Sequence, residues 1–275
     1  MRNKLALGIM SLLITSVASA YVVTTGSTTG TYYKVGANLT GLVPGGEVVA
    51  SKGSVENLER LMAEEADIGL VQMDALAWFM GKHPEAKQKL EVMGSLYHEC
   101  VYIAVNKEGK VQDEDDLQHD GVTIAVGKQG SGTAVTWDYM RKLEPGYKKA
   151  AVVFTGGSRA LGKLTLSKKG GDSAVDAVLW VTRPTVNNKM LRTVLANPTL
   201  DVIQVNDKDL NDTYKPLGRP VYEFQKIPTK DGVLFNGSIK TPCVEALLVA
   251  RSTAEEEVLD KVADIVLNYK ASLLK

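Results

Sequence analysis

The chain has 275 residues, 44% of them hydrophobic, and its 32 basic residues balance its 32 acidic ones. That balance excludes a binder that works by bulk positive charge on nucleic acid or a membrane surface. The ordinary apolar content excludes a disordered or fibrous chain, and the length suits one large domain or two moderate ones.

Residues 1–20 read as a secretory signal peptide. Arg2 and Lys4 give a basic start, Leu5 to Ile14 an apolar stretch, and Ala18-Ser19-Ala20 a small-residue cleavage site. The stretch is too short for a spanning helix, with an uncleaved anchor as the competing reading. Export to the periplasm is expected, and a slightly acidic mature chain, because cleavage removes two basic residues and no acid.

From residue 21 onward, β runs alternate with amphipathic helices. Strand is expected over 21–25, helix over 31–43, strand over 47–51, and a helix from Ser54 as its N-cap, with Val55, Leu58, Leu61 and Met62 on one face. A buried strand follows at 68–71, a short helix at 74–79, an extended stretch at 92–106 and a charged, turn-rich connection at 107–121. A second series then runs strand 122–126, helix 132–143, strand 151–155, helix 158–168, strand 175–181, helix 185–195 and strand 201–205. Residues 206–240 read as irregular, and 243–250 as strand. The last helix carries Val258, Leu259, Val262, Ile265, Val266 and Tyr269 in one stripe, with Ser252 and Glu255 as a capping box. This order predicts an α/β protein with mostly parallel strands and helices on the faces. Two sheets facing each other across a cleft are expected, with a single larger sheet as the competing architecture.

Two glycine-rich turns, Thr25-Gly26-Ser27-Thr28-Thr29-Gly30-Thr31 and Gly127-Lys128-Gln129-Gly130-Ser131-Gly132-Thr133, each link a strand to a helix. Glycines let backbone N–H groups approach a ligand, and a helix start adds partial positive charge. One such turn is equally an ordinary cap; two on separate α/β units suggest two jaws around one small anionic or zwitterionic ligand. Cys100 and Cys243 each head an apolar run, and either form a disulfide between neighbouring strands or stay as two buried thiols.

Several segments together carry a family resemblance: Thr25 to Tyr33, Gly53-Ser54-Val55-Glu56-Asn57-Leu58, Ala66-Asp67-Ile68-Gly69-Leu70-Val71-Gln72, Leu96-Tyr97, Gly130-Ser131-Gly132-Thr133 and Phe154-Thr155-Gly156-Gly157-Ser158. In these the chain resembles TAXI-type solute-binding proteins of TRAP transporters over essentially its whole mature length. The resemblance implies the two-lobed type II periplasmic-binding-protein fold with a hinge and an interlobe cleft. Lobe one would hold residues 21–105 and 241–275, lobe two 106–240, and the hinges 98–106 and 236–244. It also implies a monomeric receptor without cofactor. The ligand would be a small organic acid or acidic amino acid, glutamate-like or 2-oxoglutarate-like, delivered to membrane TRAP subunits driven by an ion gradient. The chain departs from the family pattern at Trp180-Val181-Thr182-Arg183-Pro184.

The ligand-binding residues expected are Gly26, Ser27, Thr28, Thr31, Tyr32, Asn57, Gln72, Tyr97, Gly130, Ser131, Gly132, Thr133, Trp180 and Arg183. Backbone N–H groups and hydroxyls of the two turns would take carboxylate oxygens. Asn57 either reads the ligand or bonds its own helix start, Trp180 is either a wall or core, and Arg183 either pairs with a carboxylate or points to solvent. An exported hydrolase is the alternative, but neither turn is a G-x-S-x-G elbow. Three histidines without metal-ligand spacing argue against a metal centre. Neither turn is a nucleotide P-loop.

Overall fold

Strand β1 (Tyr21–Thr24) pairs in parallel with β2 (Gly46–Val49) and β3 (Ile68–Gln72) in a computed structural model that describes residues 20–211, 213–214, 218–229 and 237–275. The expected signal peptide, Ala20 apart, lies outside the described residues. Helices α1 (Thr31–Leu42) and α2 (Ser54–Met62) make the crossovers, and α3 (Met73–Lys82) and the short α4 (Ala86–Lys89) lead into β4 (Leu90–Asn106), a strand of 17 residues. The second series supplies β5 (Thr123–Ala125), α5 (Gly132–Leu143), β6 (Ala151–Val153), α6 (Gly157–Leu164), β7 (Ala177–Thr182), α7 (Lys189–Ala196) and β8 (Leu200–Ile203). Short β9 (Thr213–Tyr214) and β10 (Arg219–Pro220) pair with each other. The chain ends with β11 (Tyr222–Pro228), β12 (Ser238–Arg251), α8 (Glu256–Asn268) and α9 (Lys270–Leu273).

The two series do not form separate sheets. Hydrogen bonding runs unbroken in the order β2-β1-β3-β12-β4-β7-β5-β6, with β11 on β12 and β8 on β4. The two long antiparallel strands make this possible by changing partners part-way along. β4 pairs with β12 over Leu90–Cys100, then with β7 and β8 over Cys100–Asn106. β12 pairs with β11 up to Val244 and with β3 from Ala246 onward. Cys100 and Cys243 face each other at this changeover and form a disulfide. A bridge between residues 143 apart stabilises by roughly 2–4 kcal/mol, mainly by restricting the unfolded chain.

Several local expectations need correction. Gly53, not Ser54, caps α2; its φ of +133° is costly for any residue with a side chain, and the Ser54 hydroxyl instead accepts the Gln72 N–H at 3.1 Å. Ser252 and Glu255 make no capping box: the Ser252 hydroxyl donates to the Gln88 carbonyl, and Glu255 caps α8 without a side-chain bond. Tyr269 falls off the buried stripe of α8 because the helix ends at Asn268. Helix α7 starts late, at Lys189, where the Asn188 side chain accepts the Leu191 N–H at 3.0 Å. The stretch 206–240 is not wholly irregular, since β11 lies along β12 with Tyr222 and Ile227 buried.

One hydrophobic core passes through both halves, joining Leu61, Val71 and Leu76 to Ile124, Trp137 and Leu179. Within it lies a fully buried carboxylate. Asp74 of α3 accepts hydrogen bonds from the Thr136 hydroxyl of α5 at 2.6 Å, the Tyr222 hydroxyl of β11 at 2.9 Å and the Ala75 N–H at 2.7 Å. Burial pushes its carboxyl above the usual range, and the two hydroxyls pull it back. Tyr222→Phe removes one donor from a buried acceptor and is expected to cost about 1–3 kcal/mol in urea denaturation. An unchanged midpoint would show that this contact contributes nothing.

Candidate ligand-binding cleft

Three helix starts open onto one cleft of about 650 Å³. Gly26, Ser27, Thr29, Gly30, Thr31 and Tyr32 come from the turn into α1, and Ser51, Lys52, Gly53 and Ser54 from the turn into α2. Lys128, Ser131, Gly132 and Thr133 come from the turn into α5. Gly30 and Gly53 cap their helices without any side-chain bond, which leaves first-turn N–H groups free for a ligand. At α5 the Ser131 hydroxyl accepts the Ala134 N–H at 3.3 Å and keeps its own proton to donate. The three helix fields and the side chains of Lys52 and Lys128 favour negative charge here.

The glycines set how closely the halves approach. A methyl group built on Gly132 would meet Gln72 Oε1 at 1.8 Å, and one on Gly53 would lie 3.3 Å from the Gly132 nitrogen. Gln72, at the end of β3, is buried and lines the cleft, yet its Nε2 has no hydrogen-bond partner among the described residues. An unpaired buried amide is costly unless something outside the chain completes it.

Of the expected site residues, Gly26, Ser27, Thr31, Tyr32, Gln72, Ser131, Gly132 and Thr133 line this one cleft. Thr28 and Gly130 belong to the same turns without lining it. Asn57 is corrected to an internal role: its amide donates to the Thr25 and Leu70 carbonyls and its Oδ1 accepts from Thr24, so no polar atom is left over. Trp180 is core, stacked on Tyr102 with ring centroids 5.2 Å apart. The exposed Arg183 guanidinium sits 5.7 Å above the Tyr97 ring, and neither residue lines the cleft.

The sequence reading missed Ser51 to Ser54, although Gly53-Ser54 before a helix repeats the signal used at the other two turns. It also missed Glu99, Lys128, Val181 and Thr182. Glu99 lies on β4, and its Oε2 accepts the Tyr32 hydroxyl at 3.1 Å. Although it opens onto the cleft, burial pushes its carboxyl up to about 7; the Tyr32 bond opposes this and the Asp74 charge adds to it. Burial, with Glu99 beside it, in turn holds the Tyr32 phenol well above its ordinary range.

None of the three histidines lines the cleft; they lie against Glu85, Glu223 and Asp116. Among the described residues one acidic trio, Glu144, Asp207 and Asp209, brings its oxygens within 4.8 Å, and it lies outside the cleft lining. No helix among the described residues is long and apolar enough to cross a membrane.

Residues 23–273 match the model of the NMT1-like family. Among solved structures, the chain is similar to the GluR0 ligand-binding core of Nostoc punctiforme in complex with L-glutamate. That match has TM-score 0.52 and 12% identity, covering 92% of this chain and 96% of that one. A Streptococcus pneumoniae amino acid ABC transporter substrate-binding protein bound to L-arginine matches with TM-score 0.51 and 15% identity over 92% and 90%. A Xanthomonas citri protein bound to ATP matches with TM-score 0.54 and 11% identity over 93% and 86%. At these identities the likeness establishes the fold, which is the two-lobed α/β architecture of type II periplasmic binding proteins.

The raised carboxyl of Glu99 links folding to pH. Its contribution to stability is complete below its unfolded value near 4.5 and is lost as pH rises through about 7. Glu99→Gln lacks this loss, so it is expected to match the wild type near pH 4 and to exceed it by about 1–3 kcal/mol at pH 8. Urea denaturation at both pH values checks this, and a difference that does not vary with pH would show that Glu99 does not titrate in this window.

Proposed function

This chain belongs to the NMT1-like family, and from that membership and the geometry of the cleft we propose that it is an extracytoplasmic solute receptor for a small carboxylate-bearing metabolite. The observation that carries the reading is the convergence of three helix starts on one cleft beside an unpaired, buried Gln72 amide. Charge-assisted hydrogen bonds from first-turn N–H groups and from Ser27, Thr31, Ser131 and Thr133 would hold a carboxylate, with Gln72 Nε2 donating to a further oxygen. Structural relatives hold L-glutamate and L-arginine, which supports a ligand of amino-acid size, either an acidic amino acid or a related organic acid such as 2-oxoglutarate. The disulfide suits an oxidising compartment, in keeping with export and a periplasmic location.

Residues 21–105 with 241–275 form lobe one in this reading, and residues 106–240 form lobe two. The segments expected as hinges are the two long strands at their crossing, so closure is a twist of this paired ribbon. The receptor delivers its ligand to the ion-driven membrane subunits of a TRAP transporter, as the resemblance to TAXI proteins implies. The alternative, an exported hydrolase, would need a base beside the cleft hydroxyls, and none of the three histidines lines the cleft.

A thermal-shift and calorimetric screen against glutamate, glutamine, 2-oxoglutarate and other small carboxylates tests the proposal. A ligand at a hundredfold excess over its Kd is expected to stabilise the protein by about 2.7 kcal/mol, without turnover. Gly132→Ala displaces Gln72, and is expected to weaken binding about tenfold or more, a loss of about 1.4 kcal/mol, while the protein still folds. A flat screen, or an unimpaired Gly132→Ala, would remove the basis for the proposal.

A further inference from the structure

The carboxylate grip proposed above uses helix starts, hydroxyls and Gln72, and gives Glu99 no role. Glu99 is the one acidic residue lining the cleft among the described residues, and every other polar group there is a hydroxyl, an amide or a lysine. For a purely anionic ligand, a carboxylate at this point is a liability, because it repels the ligand and is itself poorly solvated. Lys52 and Lys128 share the cleft, but among the described residues no lysine, arginine or histidine forms an ion pair with Glu99 within 4.0 Å. Arg183, the nearby guanidinium, is engaged over the Tyr97 ring. Among the described residues Tyr32 alone donates a hydrogen bond to the Glu99 carboxylate, which has room for several more donors.

The position strengthens the case. Glu99 lies on β4 one residue before the disulfide, opposite Val244 of β12 and beside the Thr182 end of β7 that also lines the cleft. The helix starts of both halves therefore contribute positive character around a single fixed negative group on the strand that joins them. The cleft is bipolar. We infer that Glu99 receives a protonated amine of the ligand, so that the cleft is built for a molecule carrying both an ammonium and a carboxylate. This rests on the solute-receptor reading above and narrows it, setting amino acids apart from their oxo and des-amino counterparts. A bound ammonium supplies up to three donors and the missing positive charge, and it holds Glu99 in its ionised form.

Calorimetry with L-glutamate, L-glutamine and L-arginine beside 2-oxoglutarate and glutarate tests this at a single pH of roughly 8, where the Glu99 carboxyl is ionised. Wild-type protein is expected to bind at least one amino acid, and to bind the oxo and des-amino acids at least tenfold more weakly (about 1.4 kcal/mol). Glu99→Gln keeps shape and neutral hydrogen bonding but not charge. It is expected to lose tenfold or more in amino-acid affinity while its binding of glutarate does not weaken. Equal affinity of wild type for glutarate and glutamate overturns the inference and leaves the receptor reading standing. So does a Glu99→Gln variant that binds the amino acid as wild type does, because a neutral carboxyl would then be the working form. Binding of none of the five overturns both. The wild-type comparison of amino and des-amino acids stands even if the variant fails to fold.

Discussion

The pairing of β4 with β12 is the constraint on which the molecule rests. β12 lies between β3 and β4, and β4 lies between β12 and β7, so among the described residues the sheet passes from one βαβ series to the other through these two strands. Their register places Cys100 opposite Cys243 and, one residue away, Glu99 opposite Val244. The same register that permits the cross-link therefore positions the cleft's acid. Side chains alternate along a strand, so successive residues serve different faces: Cys100 belongs to the core while Glu99 opens onto the cleft.

Around this crossing, the local choices favour the ligand over the fold. Gly30 and Gly53 give up the side-chain caps that a serine or aspartate would supply, a concession of roughly a few tenths of a kcal/mol each at an ordinary helix start. Gln72 keeps a buried donor unpaired, and Glu99 carries a carboxylate into surroundings that disfavour its charge. Three buried polar side chains elsewhere are completed within the chain. Asp74 has three donors, Asn57 uses its whole amide, and Ser167 and the Thr123 N–H both donate to the buried Asp176.

Much of this was legible in the sequence. Glycine before a helix and an apolar run before the glycine located α1 and α5, and the alternation of runs indicated the α/β class. What the sequence left open was whatever depends on distant partners. Asn57 and Trp180 have the composition of ligand contacts, but the first is consumed by Thr24, Thr25 and Leu70 and the second by stacking on Tyr102. β11 was hidden because its strand character depends on pairing with β12 rather than on a strong apolar run. Glu99 was overlooked because a single acid at the head of an apolar strand reads as solvated unless the neighbouring lobe is in view. The choice between two sheets and one could not be made from periodicity, because it turns on two strands changing partners part-way along.

The place of β12 in the sheet has a consequence for how the chain comes into being. Its neighbours β3 and β4 are made first, and the whole second series is made before β12 follows. Until β12 has emerged, β3 and β4 have no strand between them, and the thiol of Cys100 has no mate. A product truncated before Ser238 would thus have neither a continuous sheet nor its covalent tie, and a growing chain must wait for β12 before either part can settle.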